Sequence, residues 1–204
     1  MLHTNTILPG TLDLLNSVMT NPEFDPFTLV GGTALALQLG HRISVDLDFF
    51  GQREVGSDEF YELTRSLGKI RLMSRSGNIL VMDINGVKVD FINYRYLFLK
   101  DPLIYGKIRL ASLEDIGAMK LAAITGRGRK RDFFDLYFLL KHFPLSSLLV
   151  YYRDKYPDGS DFLVMRSLTY FADAEQDENP TMVIPTEWDG VKSIILKEVK
   201  KLNS

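Results

Sequence analysis

Val30-Gly31-Gly32-Thr33, followed after twelve residues by Asp46-Leu47-Asp48-Phe49, is the stretch that decides how this chain folds. Phe27–Val30 reads as a short apolar strand that runs into two glycines, whose missing Cβ lets another group approach the backbone closely. Thr33–Leu39, rich in Ala and Leu, then reads as a short helix, with Gly40 just past its end. Ser44–Phe50 reads as the next strand. On it Asp46 and Asp48 share one face, while Val45, Leu47 and Phe49 are expected on the other, in the core. A helix that starts beside Gly31, Gly32 and Thr33 turns free N–H groups and a positive dipole end toward an anion. Two carboxylates at i and i+2 repel each other, a divalent cation relieves them, and hard oxygen ligands suit Mg²⁺. A phosphate cradle beside metal-binding carboxylates is the apparatus of phosphoryl or nucleotidyl transfer. Taken singly, the same residues would be a turn and two solvated strand positions.

Working outward, Ser57–Leu67 fits a helix with Ser57 as N-cap, and Ile70–Arg75 a strand. Asn85-Gly86 between Ile79–Ile84 and Val87–Tyr94 predicts a type I′ hairpin. Alternation in the second arm puts Val87, Val89 and Phe91 in the core and Asp90 on the opposite face, where it offers a third carboxylate. Asp83 is its rival, but lies near the hairpin tip. Beyond Tyr94 the pattern turns helical: Ser112 to about Thr125, Asp132–His142, Ser146–Tyr156, Asp161–Ala172 and Thr186–Leu202, with acidic Asp173–Glu178 as a surface loop. The expected fold class is therefore α/β, a mixed-sheet core over residues 1–100 followed by a helical C-terminal half over 101–204 that completes the cleft.

The 204 residues carry 24 basic and 26 acidic side chains, 46% apolar residues and no cysteine, which excludes disulfides and thiolate metal sites and suggests a reducing, cytoplasmic compartment. The longest apolar runs are five residues and the N-terminus has no leader-like pattern, so no membrane association is expected. A net charge of −2 gives no overall attraction to nucleic acid. Locally, Lys100–Arg131 holds eight basic residues against three acidic, and Arg127, Arg129, Lys130 and Arg131 fall within a predicted loop, Gly126–Arg131. That stretch is a solvated loop or the footprint of a polyanion.

Leu29-Val30-Gly31-Gly32-Thr33-Ala34-Leu35-Ala36-Leu37, followed by Arg42-Ile43-Ser44-Val45-Asp46-Leu47-Asp48-Phe49-Phe50, resembles the nucleotidyltransferases of the polymerase-beta superfamily, and within it the AbiEii/AbiGii group of type IV toxin–antitoxin and abortive-infection toxins. Asp115-Ile116-Gly117-Ala118-Met119-Lys120-Leu121 and Arg131-Asp132-Phe133-Phe134-Asp135-Leu136-Tyr137 are similar to later motifs of that group. The resemblance implies a nucleotidyltransferase-like fold. It also implies Mg²⁺-dependent transfer of a nucleoside monophosphate from an NTP to an acceptor hydroxyl, on RNA of the tRNA kind, with a possible cognate antitoxin. Asp46, Asp48 and Asp90 would hold two Mg²⁺ ions, with Lys120 and Asp132 also catalytic. Gly31, Gly32, Thr33, Arg42, Ser44 and Lys120 would bind the nucleotide.

The residues themselves leave alternatives open. Lys120 interrupts an apolar helical stripe, so its ammonium either reaches the surface or enters a cleft. Asp132 fits an N-cap, with Asp135 completing a capping-box-like pair. Arg42 follows His41 close to the acidic pair, where it could touch phosphate. Trp188 heads the last helix as a packing anchor. Transfer to a small molecule, as in aminoglycoside nucleotidyltransferases, and a non-catalytic nucleotide-binding module are the other functional readings.

Overall fold

The hairpin is formed as its turn residues dictate. Asn85 and Gly86 take positive φ of 54° and 86° and join β4 (Ile79–Ile84) to β5 (Val87–Asn93). The computed structural model describes residues 1–202, and in it these strands belong to a seven-stranded mixed sheet ordered β3-β4-β5-β2-β1-β7-β6. The other members are β1 (Phe27–Val30), β2 (Leu47–Gly51), β3 (Ile70–Arg75), β6 (Leu103–Tyr105) and β7 (Ile108–Leu110). β2 runs parallel to β5, and β1 parallel to β7; the remaining pairs are antiparallel.

Alternation puts Leu47, Phe49, Val89 and Phe91 on the buried face of the sheet. Phe91 is the centre of an aromatic cluster, with ring centroids 5.0 Å from Phe49, 5.2 Å from Phe27 and 5.4 Å from Phe24 and Phe60. At ~1.5–3 kcal/mol per buried large apolar side chain, this cluster is a main stabiliser of the sheet.

Several local expectations are corrected. β2 starts at Leu47, not Ser44, and Val45 is 49% exposed rather than in the core. The backbone before it is engaged elsewhere: Ile43 N–H donates to Thr181 O (2.8 Å), Val183 N–H to His41 O (2.9 Å) and Ser44 N–H to Thr6 O (2.8 Å). Strands β6 and β7 lie beyond residue 100, so the sheet continues past the point where the helical half was expected to begin. They are three residues each, too short for alternation to declare them.

The helices are α1 (Pro9–Thr20), α2 (Gly31–Leu39), α3 (Asp58–Thr64), α4 (Leu113–Arg127), α5 (Lys130–Leu139), α6 (Leu145–Lys155), α7 (Asp161–Ser167), α8 (Ala172–Glu175) and α9 (Trp188–Leu202). Ser57 caps α3 through Phe60 N–H at 3.2 Å, and Ser112 caps α4 through Asp115 N–H at 3.0 Å. α4 ends at Gly128, whose φ of 50° turns the chain directly into α5, so the basic loop shrinks to two residues. Arg129, not Asp132, occupies the N-cap of α5, and Asp132 lies fully buried inside its first turn. The expected helix Asp161–Ala172 breaks after Ser167, and α8 takes up part of the acidic stretch. Trp188 packs on Phe134 and Phe133, with centroids 5.6 and 5.8 Å apart. No helix among the described residues is long and apolar enough to cross a membrane.

Candidate active site

The chain leaves β1 and enters α2 through Gly31, at φ +69°, a conformation a side chain would strain. A Cβ on Gly31 would stand 2.6 Å from Asp48 Oδ2, and one on Gly32 2.2 Å from Arg42 Nη2. The glycine pair is thus what admits a carboxylate and a guanidinium against the backbone. Thr33 is buried, bonds the main-chain carbonyl of Asp46 and lies 2.8 Å from Ser44 Oγ. Thr33 and Ser44 therefore tie the loop before β2 to α2.

Asp48 and Asp90 are register partners on the parallel strands β2 and β5. Burial, and then the neighbouring Asp90, push the Asp48 carboxyl above its usual range. Lys88 Nζ lies 2.6 Å from both oxygens of Asp90. Arg131 Nη1 lies 3.4 Å from Asp46 Oδ2. Among the described residues no donor hydrogen-bonds the Asp48 carboxylate, and no three carboxylate or imidazole groups form a ready metal cage. The donor chemistry nevertheless fits a hard divalent cation. Asp48 is a poorly solvated carboxylate whose strand partner is a second one, and a cation there would relieve the desolvation and repulsion that raise its pKa. Asp83, the rival, is taken up by the turn, accepting from Gly86 N–H at 2.9 Å and facing Arg71.

Facing the acids is a buried ion network contributed by α4, α5 and the loop after α2. Lys120 Nζ sits 2.8 Å from Asp132 Oδ1 and 2.6 Å from Asp135 Oδ2. Asp135 also accepts from Arg42 Nε (2.7 Å) and Nη2 (2.9 Å), and His41 Nε2 lies 2.8 Å from it. Arg127 Nε donates to Asp132 at 3.1 Å. Burial alone would raise the Asp135 carboxyl, but Arg42 and Lys120 outweigh it and hold the group well below the usual carboxylate range. Asp132 is likewise held low, against burial, by Lys120 and Arg127. Burial would lower Lys120, but Asp135 and Asp132 outweigh it and keep its ammonium charged. His41 goes the other way: burial prevails over its bond to Asp135, and the imidazole is held neutral.

Lys120 therefore does not snorkel to the surface; it is a buried, doubly paired charge that lines the cleft. From the sequence, Asp135 has only a capping role and Arg127 only a place in the basic stretch. For Asp135 a signal was available: it stands three residues from Asp132, on the same buried helix face.

Two clefts meet at this centre. One, of about 410 Å³, runs along β2 and β5 beneath α4 and includes Gly31, Asp48, Asp90, Lys120 and Arg127. The other, of about 670 Å³, is lined by Arg42, Arg127, Arg129 and Arg131 together with Asp177 and Glu178. A chamber of about 50 Å³ shares Asp48 and Lys120 with the first and Arg42 and Arg131 with the second. The geometry brings Gly31, Gly32, Arg42, Ser44, Asp46, Asp48 and Lys120 around that chamber, while Asp90 opens to the first cleft only.

Residues 13–76 and 86–188 match the family described as nucleotidyl transferase AbiEii toxin, type IV TA system. The protein aq_aa25 of Aquifex aeolicus (strain VF5) is 34% identical over 196 residues, covering 93% of this chain and 94% of that one. Among solved structures, the nucleotidyltransferase toxin MenT4 of Mycobacterium tuberculosis H37Rv superposes with a TM-score of 0.58 at 17% identity, over 96% of this chain and 84% of that one. The antibiotic-resistance factor ANT(2'')-Ia does so with a TM-score of 0.55 at 16% identity, over 72% and 92%. At such identities the superpositions speak for the fold, and the family match covers the motifs that build the site. The chain is a member of the AbiEii nucleotidyltransferase toxin family of type IV toxin–antitoxin systems.

Proposed function

We propose that the chain moves a nucleoside monophosphate from an NTP to an acceptor hydroxyl on RNA, of the tRNA kind, in a Mg²⁺-dependent reaction held in check by a cognate antitoxin. The observation that carries this reading is the poorly solvated Asp48, register partner of Asp90, at the meeting point of the two clefts with Lys120 and Arg127. Asp48, with Asp46 and Asp90, would hold the metal, which supplies charge neutralisation on the triphosphate and acidifies the acceptor hydroxyl.

The chain's own residues do the rest. The first cleft takes the NTP, with Arg127 and Lys120 as cations toward the phosphates and the α2 N-terminus at Gly31-Gly32 as an anion cradle. Lys88 and Arg131 leave Asp90 and Asp46 for the incoming phosphates. The acceptor oxygen bonds the α-phosphorus, the α–β anhydride bond breaks, pyrophosphate departs and the hydroxyl proton passes to solvent. Positioning and preset charge account for most of the acceleration, because no covalent enzyme intermediate is needed.

For the acceptor, the second cleft has the sign a polyanion requires. Its half-exposed Arg129 and Arg131 form ion pairs, with Asp177 and Asp46, that are worth little and exchange readily for RNA phosphates. A polycationic aminoglycoside would meet repulsion there, which disfavours the small-molecule reading. Incubation with labelled NTPs, Mg²⁺ and total RNA should label a tRNA-sized band. Label on a small metabolite or antibiotic with RNA untouched would overturn the acceptor assignment. The absence of cysteine agrees with action in the reducing cytoplasm.

A further inference from the structure

Phe50 and Ile92 are register partners on β2 and β5, two residues beyond the partners Asp48 and Asp90. Each pair faces the same side of the sheet, so the acid row is followed, roughly 6–7 Å along the strands, by an apolar row. Met119 and Ala123, one turn apart on α4, lie over these rows in the 410 Å³ cleft, and Tyr156, just past α6, closes it. The cleft is thus polarised: three of its four charged lining residues, Asp48, Lys120 and Arg127, are shared with the small chamber, whereas Phe50, Ile92, Met119 and Tyr156 are not.

Tyr156 is held in place. Its hydroxyl is 2.8 Å from that of Tyr94, whose ring packs at a tilt against Phe50 with centroids 4.7 Å apart, and Lys155 lies 5.1 Å from the Tyr94 ring centre. Lys155 is itself fixed by Asp115 at 2.7 Å and by Leu97 O at 2.9 Å. Nothing in the proposed chemistry uses this assembly. A phenol that is bonded on one side keeps capacity for one further hydrogen bond, and Tyr156 is the hydroxyl on this wall.

We infer that Phe50, Ile92, Met119 and Tyr156 form the nucleobase subsite of the NTP cleft, and that the Tyr156 hydroxyl is the group that ranks one base against another. This rests on the NTP reading above. The base lies against the apolar row while its phosphates reach the acid row, and contact with ring faces tolerates every base. Preference then comes through one phenolic hydrogen bond, a difference of roughly three- to tenfold between the best and worst NTP.

The test is equilibrium titration of purified protein with each of the four NTPs and with inorganic tripolyphosphate, in Mg²⁺, after thermal melts of each variant. In Tyr156→Leu, affinity for every NTP should fall on the order of tenfold or more while tripolyphosphate affinity stays the same. In Tyr156→Phe, which keeps the ring, the four NTP affinities should converge to within about twofold. Equal losses for NTPs and tripolyphosphate, an unchanged ranking in Tyr156→Phe, or a loss seen only in RNA binding would overturn the subsite. Failure of the wild-type protein to bind any NTP or tripolyphosphate would instead remove the reading beneath it.

Discussion

The Lys120 ammonium stands 2.6 Å from the Asp135 carboxylate, with both side chains all but sealed from water. From its place on an apolar helical stripe alone, Lys120→Met would be expected to hold stability, because the apolar stem is kept. The pairing reverses that expectation. Removing one partner of a buried ion pair leaves the other uncompensated, at about 3–5 kcal/mol, and here Asp132 and Asp135 both lose a cation. Lys120→Met should unfold at markedly lower denaturant, and combining it with Asp132→Asn should restore part of the loss in a double-mutant cycle. A Lys120→Met protein as stable as wild type would contradict the network.

The same network sets an acid limit. Asp132 and Asp135 have folded pKa values below their unfolded ones. Their contribution is therefore fully present above the unfolded carboxylate value, near ~4, and is lost as pH falls through the lowered folded values. Asp48 has the opposite sign: its folded pKa is raised, so stability declines as pH climbs through the interval above ~4. A series of melts across pH should show Asp48→Asn removing only the second slope and Asp135→Asn reducing the first.

Asp48→Asn should also separate chemistry from folding. The native carboxylate has no protein donor to lose and sits beside a like charge, so the neutral amide should leave the melting temperature equal or higher. Nucleotidyl transfer should fall by more than about a hundredfold. Full Mg²⁺-dependent turnover in the well-folded variant would remove Asp48 from the metal site.

Gly31→Ala is expected to damage the site at its tightest approach. Alanine at φ +69° costs about 1–2 kcal/mol, and its methyl would press within 2.6 Å of the Asp48 carboxylate. Activity should drop far more than stability, readable as a lowered kcat beside a melting temperature reduced by only a few degrees. A fully active Gly31→Ala protein would show that the carboxylate need not lie against this turn.

What could be read in advance was local. Gly31-Gly32, the Asp46/Asp48 spacing and the Asn85-Gly86 turn each declare themselves within a few residues, and they frame the sheet and its acid row. Helix α1 escaped despite buried Leu14, Leu15, Val18 and Met19, because Pro9-Gly10 at its start reads as a turn. Val45 misled because alternation was extended into residues whose backbone pairs with a segment more than 130 positions later. Asp135 looked like half of a cap. Only the fold brings Arg42, ninety-three residues earlier, and Lys120 onto one carboxylate.

The backbone pairing of His41–Ile43 with Thr181–Val183 carries a consequence for how the protein comes into being. The loop that bears Arg42 acquires these partners only once Thr181–Val183, more than 130 positions later, have been made. A growing chain thus lacks the finished centre however well its early sheet has formed, and the ribosome producing the enzyme is spared its chemistry until that segment has emerged. Stalled chains ending before Thr181 should accordingly be folded in their first half and inert toward NTP.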